Sequence, residues 1–339
     1  MDGMFARRVR ATQRGSGDGG GAHLDAGVAD IRFDGHPRSA RNGMGGTVSA
    51  AERHAGIIGL GLVGAALAER LVESGYRVTG YDVREEQRGV LLRLGGEPLA
   101  NNAEVARGAS RLILSLPTSE IVARVLDEIE RELAPGAIVI DTTTGAPHDS
   151  AACAARLEGL GVDYVDATIG GSSRQVRTGD AIFICGGKEE AFRRCADLLA
   201  ACSRTVFHVG PPARGAAMKL VLNLVLGLNR AALAEGLEFA RACGIDPSLA
   251  LEVLKAGPAY SRAMDTKGQR MLSGDFEPEA RLSQHLKDVR LILAEGERVG
   301  ARLPFSEVHL RLLEEAEAAG LGHADNSAII KLFQKAFCR

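Results

Sequence analysis

Gly59-Leu60-Gly61-Leu62-Val63-Gly64 stands between a short aliphatic run and a helical stretch. Glycines at those spacings can cradle a pyrophosphate. The first permits a tight turn, the second lets phosphate approach the backbone, and the third lets helix and strand pack closely, with the phosphates over the helix N-terminus. Asp82 closes the next strand 18 residues past Gly64, where a carboxylate takes the ribose hydroxyls of a dinucleotide and repels a 2′-phosphate. NAD is therefore expected over NADP, with Val83 and Arg84 beside it and Arg84 softening the preference. A lone glycine turn is a weak signal; here the strand before it and the helix after it supply its context.

Further along, Leu116-Pro117-Thr118 and Asp141-Thr142-Thr143-Thr144 follow two more aliphatic runs. Ligands sit past the carboxyl ends of strands in open α/β sheets, so hydroxyls and amides there can touch a nicotinamide ribose; ordinary turn chemistry is the alternative. Asp166-Ala167-Thr168-Ile169-Gly170-Gly171-Ser172-Ser173 ends another run with a glycine pair, and such a pair can form a nest of amides for a carboxylate. Lys219, Asn223, Gly227 and Arg230 then break a greasy segment at spacings of four, four and three. They share one helical stripe, and an ammonium and a carboxamide on that stripe should face something polar. The structural alternative is a core helix whose Lys219 snorkels to solvent.

The elements that must hold these residues are legible from periodicity. Strands are expected at 55–59, 77–82, 111–117, 137–143, 163–169, 181–187 and 205–210, with a short one at 97–100, and helices at 64–75, 119–133, 147–160 and 189–202. Alternating strands and helices imply βαβ units in a mostly parallel sheet. From Gly215 to Gly244 the chain is free of proline, opens after Pro211-Pro212 and closes on a glycine placed as a helix C′ residue. At ~1.5 Å per residue it makes a helix of roughly 40 Å. Every later segment carries helical periodicity. The expected architecture is an α/β Rossmann-type domain (55–214), then an all-α domain (215–339), joined by the long helix.

Residues 1–54 have linker-like composition and are expected to be a disordered extension. The chain of 339 residues has a net charge of −2, no tryptophan and 4% aromatics. That gives no electrostatic or stacking footprint for nucleic acid and none for an anionic membrane. Polar residues interrupt the apolar run of the long helix short of a spanning length. Six scattered cysteines lack metal-ligand spacing, so no metal site is expected, and they read as apolar fillers in a reducing, cytoplasmic setting.

Four segments in register resemble the β-hydroxyacid dehydrogenase family, which includes 3-hydroxyisobutyrate dehydrogenase and tartronate semialdehyde reductase. They are IGLGLVG, DATIGGSSRQVRTGDAIFICGG, RGAAMKLVLN and HLKDVRLIL, and the resemblance runs from Ala55 to the C-terminus. It implies an NAD(P)-dependent oxidoreductase of a small 3-hydroxy acid or its semialdehyde, with a helical domain like that of 6-phosphogluconate dehydrogenase. By position Lys219 resembles the catalytic lysine and Asn223 its partner. Lys287 would contact the cofactor side, and Asp288 would hold Lys219 or the substrate across a cleft. Ser261 matches a family serine. Where the family has Ser-Gly-Gly, this chain has Gly170-Gly171-Ser172, with Thr168 for proline, Arg174 and Gln175 for small residues, and Leu222 for an asparagine. The substrate carboxylate is thus expected on the loop amides, Ser172 and Arg174. An imine reductase, whose family typically lacks the lysine, and a non-catalytic dinucleotide-binding module are the alternatives. The greasy long helix further suggests a homodimer or homotetramer.

Overall fold

The computed structural model describes residues 30–32 and 53–334. The strands are β1 (Asp30–Arg32), β2 (His54–Ile58), β3 (Arg77–Tyr81), β4 (Glu97–Pro98), β5 (Arg111–Leu114), β6 (Ile138–Asp141), β7 (Asp163–Gly170), β8 (Ile182–Gly186) and β9 (Thr205–His208). They form one sheet in the order β1-β9-β8-β7-β6-β5-β2-β3-β4. All pairs are parallel except β1 with β9 and β7 with β8. The long apolar runs became strands because both faces are covered. One face buries Ile57, Leu67, Ile140 and Phe183; the other buries Leu112, Leu126, Val139 and Leu157. The order reverses between β2 and β5, the crevice where doubly wound sheets bind ligands.

Helices α1 (Leu62–Glu73), α2 (Glu85–Arg93), α3 (Asn102–Gly108), α4 (Ser119–Ile129), α5 (Pro147–Glu158), α6 (Ser173–Thr178) and α7 (Glu189–Cys202) flank the sheet. The sequence reading missed α2, α3 and α6. Helix α2 buries only Leu91, so it has no apolar stripe to detect. The other two span seven and six residues and rest on side-chain caps, Asn101 for α3 and Ser172 for α6. The expected disorder of 1–54 falls mostly outside the described residues, and β1 departs from it. An unpaired edge such as that of β9 offers a row of backbone groups to any extended segment, and Asp30–Arg32 takes it.

Helix α8 (Arg214–Ala242) leaves the sheet and enters the helical domain. Both carboxylate oxygens of Asp166, on β7, accept its first amides, from Ala213 at 2.8 Å and Ala216 at 2.7 Å. A carboxylate on free helix N–H groups is favoured by charge and by hydrogen bonding together. The helix ends where Gly244 takes φ 78°. Around its second half pack α9 (Pro247–Ala256), a π-helical turn (Met264–Gly268), α10 (Gln269–Ser273), α11 (Leu282–Val299), α12 (Pro304–Ala318) and a 3-10 segment (Asn326–Phe333). Leu233, Leu237, Leu286, Leu313 and Ile329 form their common core. By length and composition alone, α8 could cross a membrane. Here its first half lies on β7 and β8 and its second half on the helical core.

Candidate active site

The glycine turn sits at the β2–β5 crevice. Gly59 takes φ 91°, and a Cβ on Gly64 would lie 2.0 Å from the Gly59 carbonyl oxygen, so the turn closes only with glycine at both ends. A Cβ on Gly61 would meet nothing nearer than the Arg84 guanidinium at 4.0 Å. That leaves an open backbone cradle capped by a cation, which fits a pyrophosphate. Asp82, 8% exposed, holds the turn itself. One oxygen accepts the Leu60 amide at 2.8 Å and the other the Arg84 amide at 2.9 Å. Arg84 also points its Nε at Asp82, 3.4 Å away, and Arg88 donates to the Asp82 carbonyl at 2.8 Å. Leu62 and Val83 are 75% and 81% exposed and flank the cradle as bare apolar surface. Val63 lies half-buried against the core under α1.

Lys287, on α11, joins this crevice to the helical domain. Its Nζ donates to the carbonyls of Pro117 and Thr144, both at 3.3 Å. Those carbonyls lie past the ends of β5 and β6, so one ammonium clasps two strand ends. Leu116 is fixed there by its amide on the Thr143 hydroxyl, at 3.2 Å, while the Thr118 hydroxyl caps α4. As bare sequence Lys287 and Asp288 look like a solvated helix pair; the folded chain buries Asp288 and lays the partly exposed Lys287 on the strand ends.

On α8, Lys219, Asn223, Gly227 and Arg230 all face inward and are buried. Asn223 Nδ2 donates to Asp288 Oδ2 at 3.0 Å, which brings three of the residues singled out by sequence onto one wall. Burial pushes the Lys219 ammonium pKa down, and the Asp288 charge partly opposes that shift. Burial pushes the Asp288 carboxyl up, against Lys287, Lys219, Arg230 and the Asn223 bond. Among the described residues the Lys219 ammonium forms no salt bridge, and Asp288 Oδ1 accepts no hydrogen bond. A lysine whose charged form is disfavoured by burial and a carboxamide fixed by one N–H have the chemistry to move a proton and hold an oxygen.

The Gly170–Ser173 loop faces this wall with less polarity than its sequence suggested. The Ser172 hydroxyl accepts the Gln175 amide while the Gln175 side chain accepts the Ser172 amide, a reciprocal cap that commits Ser172 to α6. Arg174 is exposed. A Cβ on Gly170 would lie 2.7 Å from Ile182 and 2.8 Å from Leu222, so those two side chains occupy the space that a larger residue at 170 would need. Ser261 Oγ is buried without a partner three residues before the π-helical turn. Its hydroxyl therefore does not cap the helix.

Three contacts carried no signal of their own in the sequence. Asp166 appeared only as part of a motif, and its role at the N-terminus of α8 depends on a contact 47 to 50 residues away. The Thr168 hydroxyl reaches the Gly215 carbonyl at 3.2 Å. His309 lies against His285, ring centroids 5.1 Å apart, and nothing in the α12 sequence marks it. His208 is a strand-end residue, stacked on Phe192 and bonded to the Gly187 carbonyl.

Two family models and a set of relatives match this chain. A family model described as the NAD binding domain of 6-phosphogluconate dehydrogenase matches residues 54–210. One described as the NAD-binding region of NADP-dependent 3-hydroxyisobutyrate dehydrogenase matches 213–333. A 2-(hydroxymethyl)glutarate dehydrogenase of Eubacterium barkeri is 30% identical over 83% of this chain and 94% of its own length. The 2-hydroxy-3-oxopropionate reductase of Escherichia coli K12 is 27% identical over 82% and 96%. A solved 3-hydroxyisobutyrate dehydrogenase from Salmonella typhimurium superposes with TM-score 0.75 at 26% identity, covering 82% of this chain and 99% of that one.

Proposed function

The chain belongs to the β-hydroxyacid dehydrogenase family of NAD(P)-dependent oxidoreductases, and from that premise we propose that Lys219 carries the proton in its reaction. The reaction interconverts a small 3-hydroxy acid and its semialdehyde. The supporting observation is the buried Lys219 ammonium on the same wall as the Asn223–Asp288 hydrogen bond. As a neutral amine Lys219 takes the proton of the substrate hydroxyl; as an ammonium it returns one to the developing alkoxide. Asn223 has a second N–H free to hold the same oxygen, with its amide plane fixed by Asp288. The bound nicotinamide supplies or accepts the hydride. Lys287 keeps α11 against the strand ends, and the Gly170–Gly171 amides with Arg174 meet the substrate carboxylate while Ser172 shapes the loop.

In this reading the cofactor lies on Gly59–Gly64, with Asp82 on its adenosine ribose and Leu116, Pro117, Thr118 and Thr144 beside the nicotinamide end. The proposed domain limits are 55–214 and 215–339. A carboxylate at 82 disfavours a 2′-phosphate, so kcat/KM with NAD should exceed that with NADP by at least about tenfold, like-charge juxtaposition costing more than ~1.4 kcal/mol. Offering both cofactors with a panel of 3-hydroxy acids, read at the nicotinamide absorbance, tests activity and preference together. Equal use of the two cofactors would remove Asp82 from that role, and no turnover of any acid would sink the substrate class.

A homodimer or homotetramer is the proposed assembly. Met218, Val221 and Val225, 41%, 50% and 50% exposed, form an apolar stripe on α8 that one chain leaves uncovered. Light scattering should return two or four times the 35.7 kDa chain mass; a single-chain mass at micromolar concentration refutes it. The proposed location is the cytoplasm, which cell fractionation tests.

A further inference from the structure

Gly227 lies one helical turn past Asn223 on the inner face of α8, where α11 and α12 pack on bare backbone. A Cβ there would lie 2.4 Å from His285 Nε2, 2.7 Å from His285 Cε1 and 2.8 Å from His309 Cε1. Gly236, farther along the same helix, has nothing within 4 Å of its Cβ position, so the close approach belongs to the Gly227 contact alone of the two. His285 stands three residues before Asp288 on α11, and the Asp288 carboxylate accepts the Asn223 N–H at 3.0 Å. The two contacts are thus neighbouring turns of one antiparallel helix pair. Lys287, between them in the chain, donates to the Pro117 and Thr144 carbonyls at 3.3 Å. Neither imidazole has room to yield: His285 and His309 are 7% and 3% exposed, and with ring centroids 5.1 Å apart His309 backs His285. Burial and the nearby Arg230 charge hold both histidines down, His309 to about 4, so both are neutral at neutral pH.

We propose that Gly227 and His285 are positioning residues for the reaction: the missing Cβ lets α11 come close enough to α8 for Asp288 to hold Asn223 and act on Lys219. The proposal rests on Lys219 and Asn223 forming the reacting end. Non-bonded heavy atoms settle at about 3.5–4.0 Å, so a methyl group at 227 needs about 1 Å of extra separation. His309 blocks the retreat of the His285 ring, and the displacement therefore passes to α11 and to Asp288. A misplacement of about 1 Å can cost on the order of 100-fold in rate. A second effect has a definite sign. Burial lowers the Lys219 pKa and the Asp288 charge raises it, so withdrawing Asp288 lowers it further. The other charges of this cluster are Lys287 and Arg230, which act on Asp288, and Asp325, which acts on Arg230; the variants below leave all three in place.

The test compares the full chain as wild type, Gly227→Ala, Gly227→Ala/His285→Ala and Gly236→Ala. One readout is kcat against pH with saturating cofactor and the 3-hydroxy acid that the panel selects. The other needs no turnover: the Lys219 titration followed by NMR of lysine labelled with carbon-13 at Cε, its signal assigned by its loss in Lys219→Ala. Gly227→Ala should lower kcat by about 10- to 100-fold and move the Lys219 titration to lower pH. The double variant should return both toward wild type, because the deleted imidazole makes room for the methyl group. Gly236→Ala should leave both unchanged, since alanine in an open helical position adds only helix propensity. A Gly227→Ala enzyme with kcat within about twofold of wild type, an unmoved Lys219 titration, or a loss that the double variant does not restore overturns the proposal. If Gly227→Ala does not fold, the double variant should fold with the wild-type Lys219 titration; a double variant that is unfolded or displaced in titration also overturns it. A Lys219 titration that shifts in Gly227→Ala and returns in the double variant, in an enzyme that turns over no 3-hydroxy acid, would uphold the positioning contact and remove the dehydrogenase mechanism. Lys219-dependent turnover indifferent to Gly227→Ala would do the reverse.

Discussion

Lys219→Ala should lower kcat by roughly 10²–10⁴-fold, the range expected when a positioned acid–base group is deleted, while NADH still binds. Retained cofactor affinity matters because Lys219 lies on α8 and the phosphate cradle lies on the β2–α1 turn; fluorescence titration of NADH measures it directly. Wild-type pH profiles should carry the signature of the same group. Oxidation of the hydroxy acid needs the neutral amine, so its rate should rise with pH through an apparent pKa below the ordinary 10.5 of lysine, as burial requires. Reduction needs the ammonium and should fall over the same interval. Lys219→Arg should not rescue, because a guanidinium does not deprotonate in this range. A Lys219→Ala enzyme within tenfold of wild type, or an unchanged pH limb, would assign the proton to another group.

Asp325→Ala should unfold the helical domain far more readily than any surface change. Asp325 is 0% exposed. It accepts from Lys267 at 2.9 Å, the Glu279 and Ala280 amides at 3.1 Å each, and the Ser327 amide and hydroxyl at 3.1 and 2.7 Å. One carboxylate thus ties the 3-10 segment to the approach of α11, the helix that carries His285, Lys287 and Asp288. Removing one partner of a buried ion pair costs about 3–5 kcal/mol, a fall in Tm on the order of 10 °C. A scanning-calorimetry shift within about 2 °C of wild type would contradict it. Burial alone would raise the Asp325 carboxyl; the Ser327 and Lys267 hydrogen bonds outweigh it and hold the carboxyl at about 2, against an ordinary 3.8. Its folded pKa is the lower one, so its stabilisation is full above 3.8 and is lost as pH falls through 2. That difference is worth about 2.5 kcal/mol, and the stability gap between wild type and Asp325→Asn should narrow as pH falls from 5 to 3.

The same contrast between local and distant contacts explains what could be read in advance. Gly59–Gly64 and Asp82 were legible because their spacing and flanking elements are contiguous in the chain. The α8 stripe was legible because helical periodicity alone places Lys219, Asn223, Gly227 and Arg230 on one face. The functional reading of Ser172 was less secure, because its hydroxyl is drawn into the local cap with Gln175. No sequence pattern announces that Ile182 and Leu222 occupy the space beside Gly170.

By itself the sequence determined the alternation of buried strands and helices, the glycine turn and the inward face of the long helix. These follow from periodicity and backbone sterics acting over a few residues. Only the tertiary structure decided that Asp166 would hold the first turn of α8, that Lys287 would reach Pro117 and Thr144, and that two histidines would close around Gly227. Those outcomes depend on which groups burial deprives of water, and burial is set by the packing of segments distant in the chain.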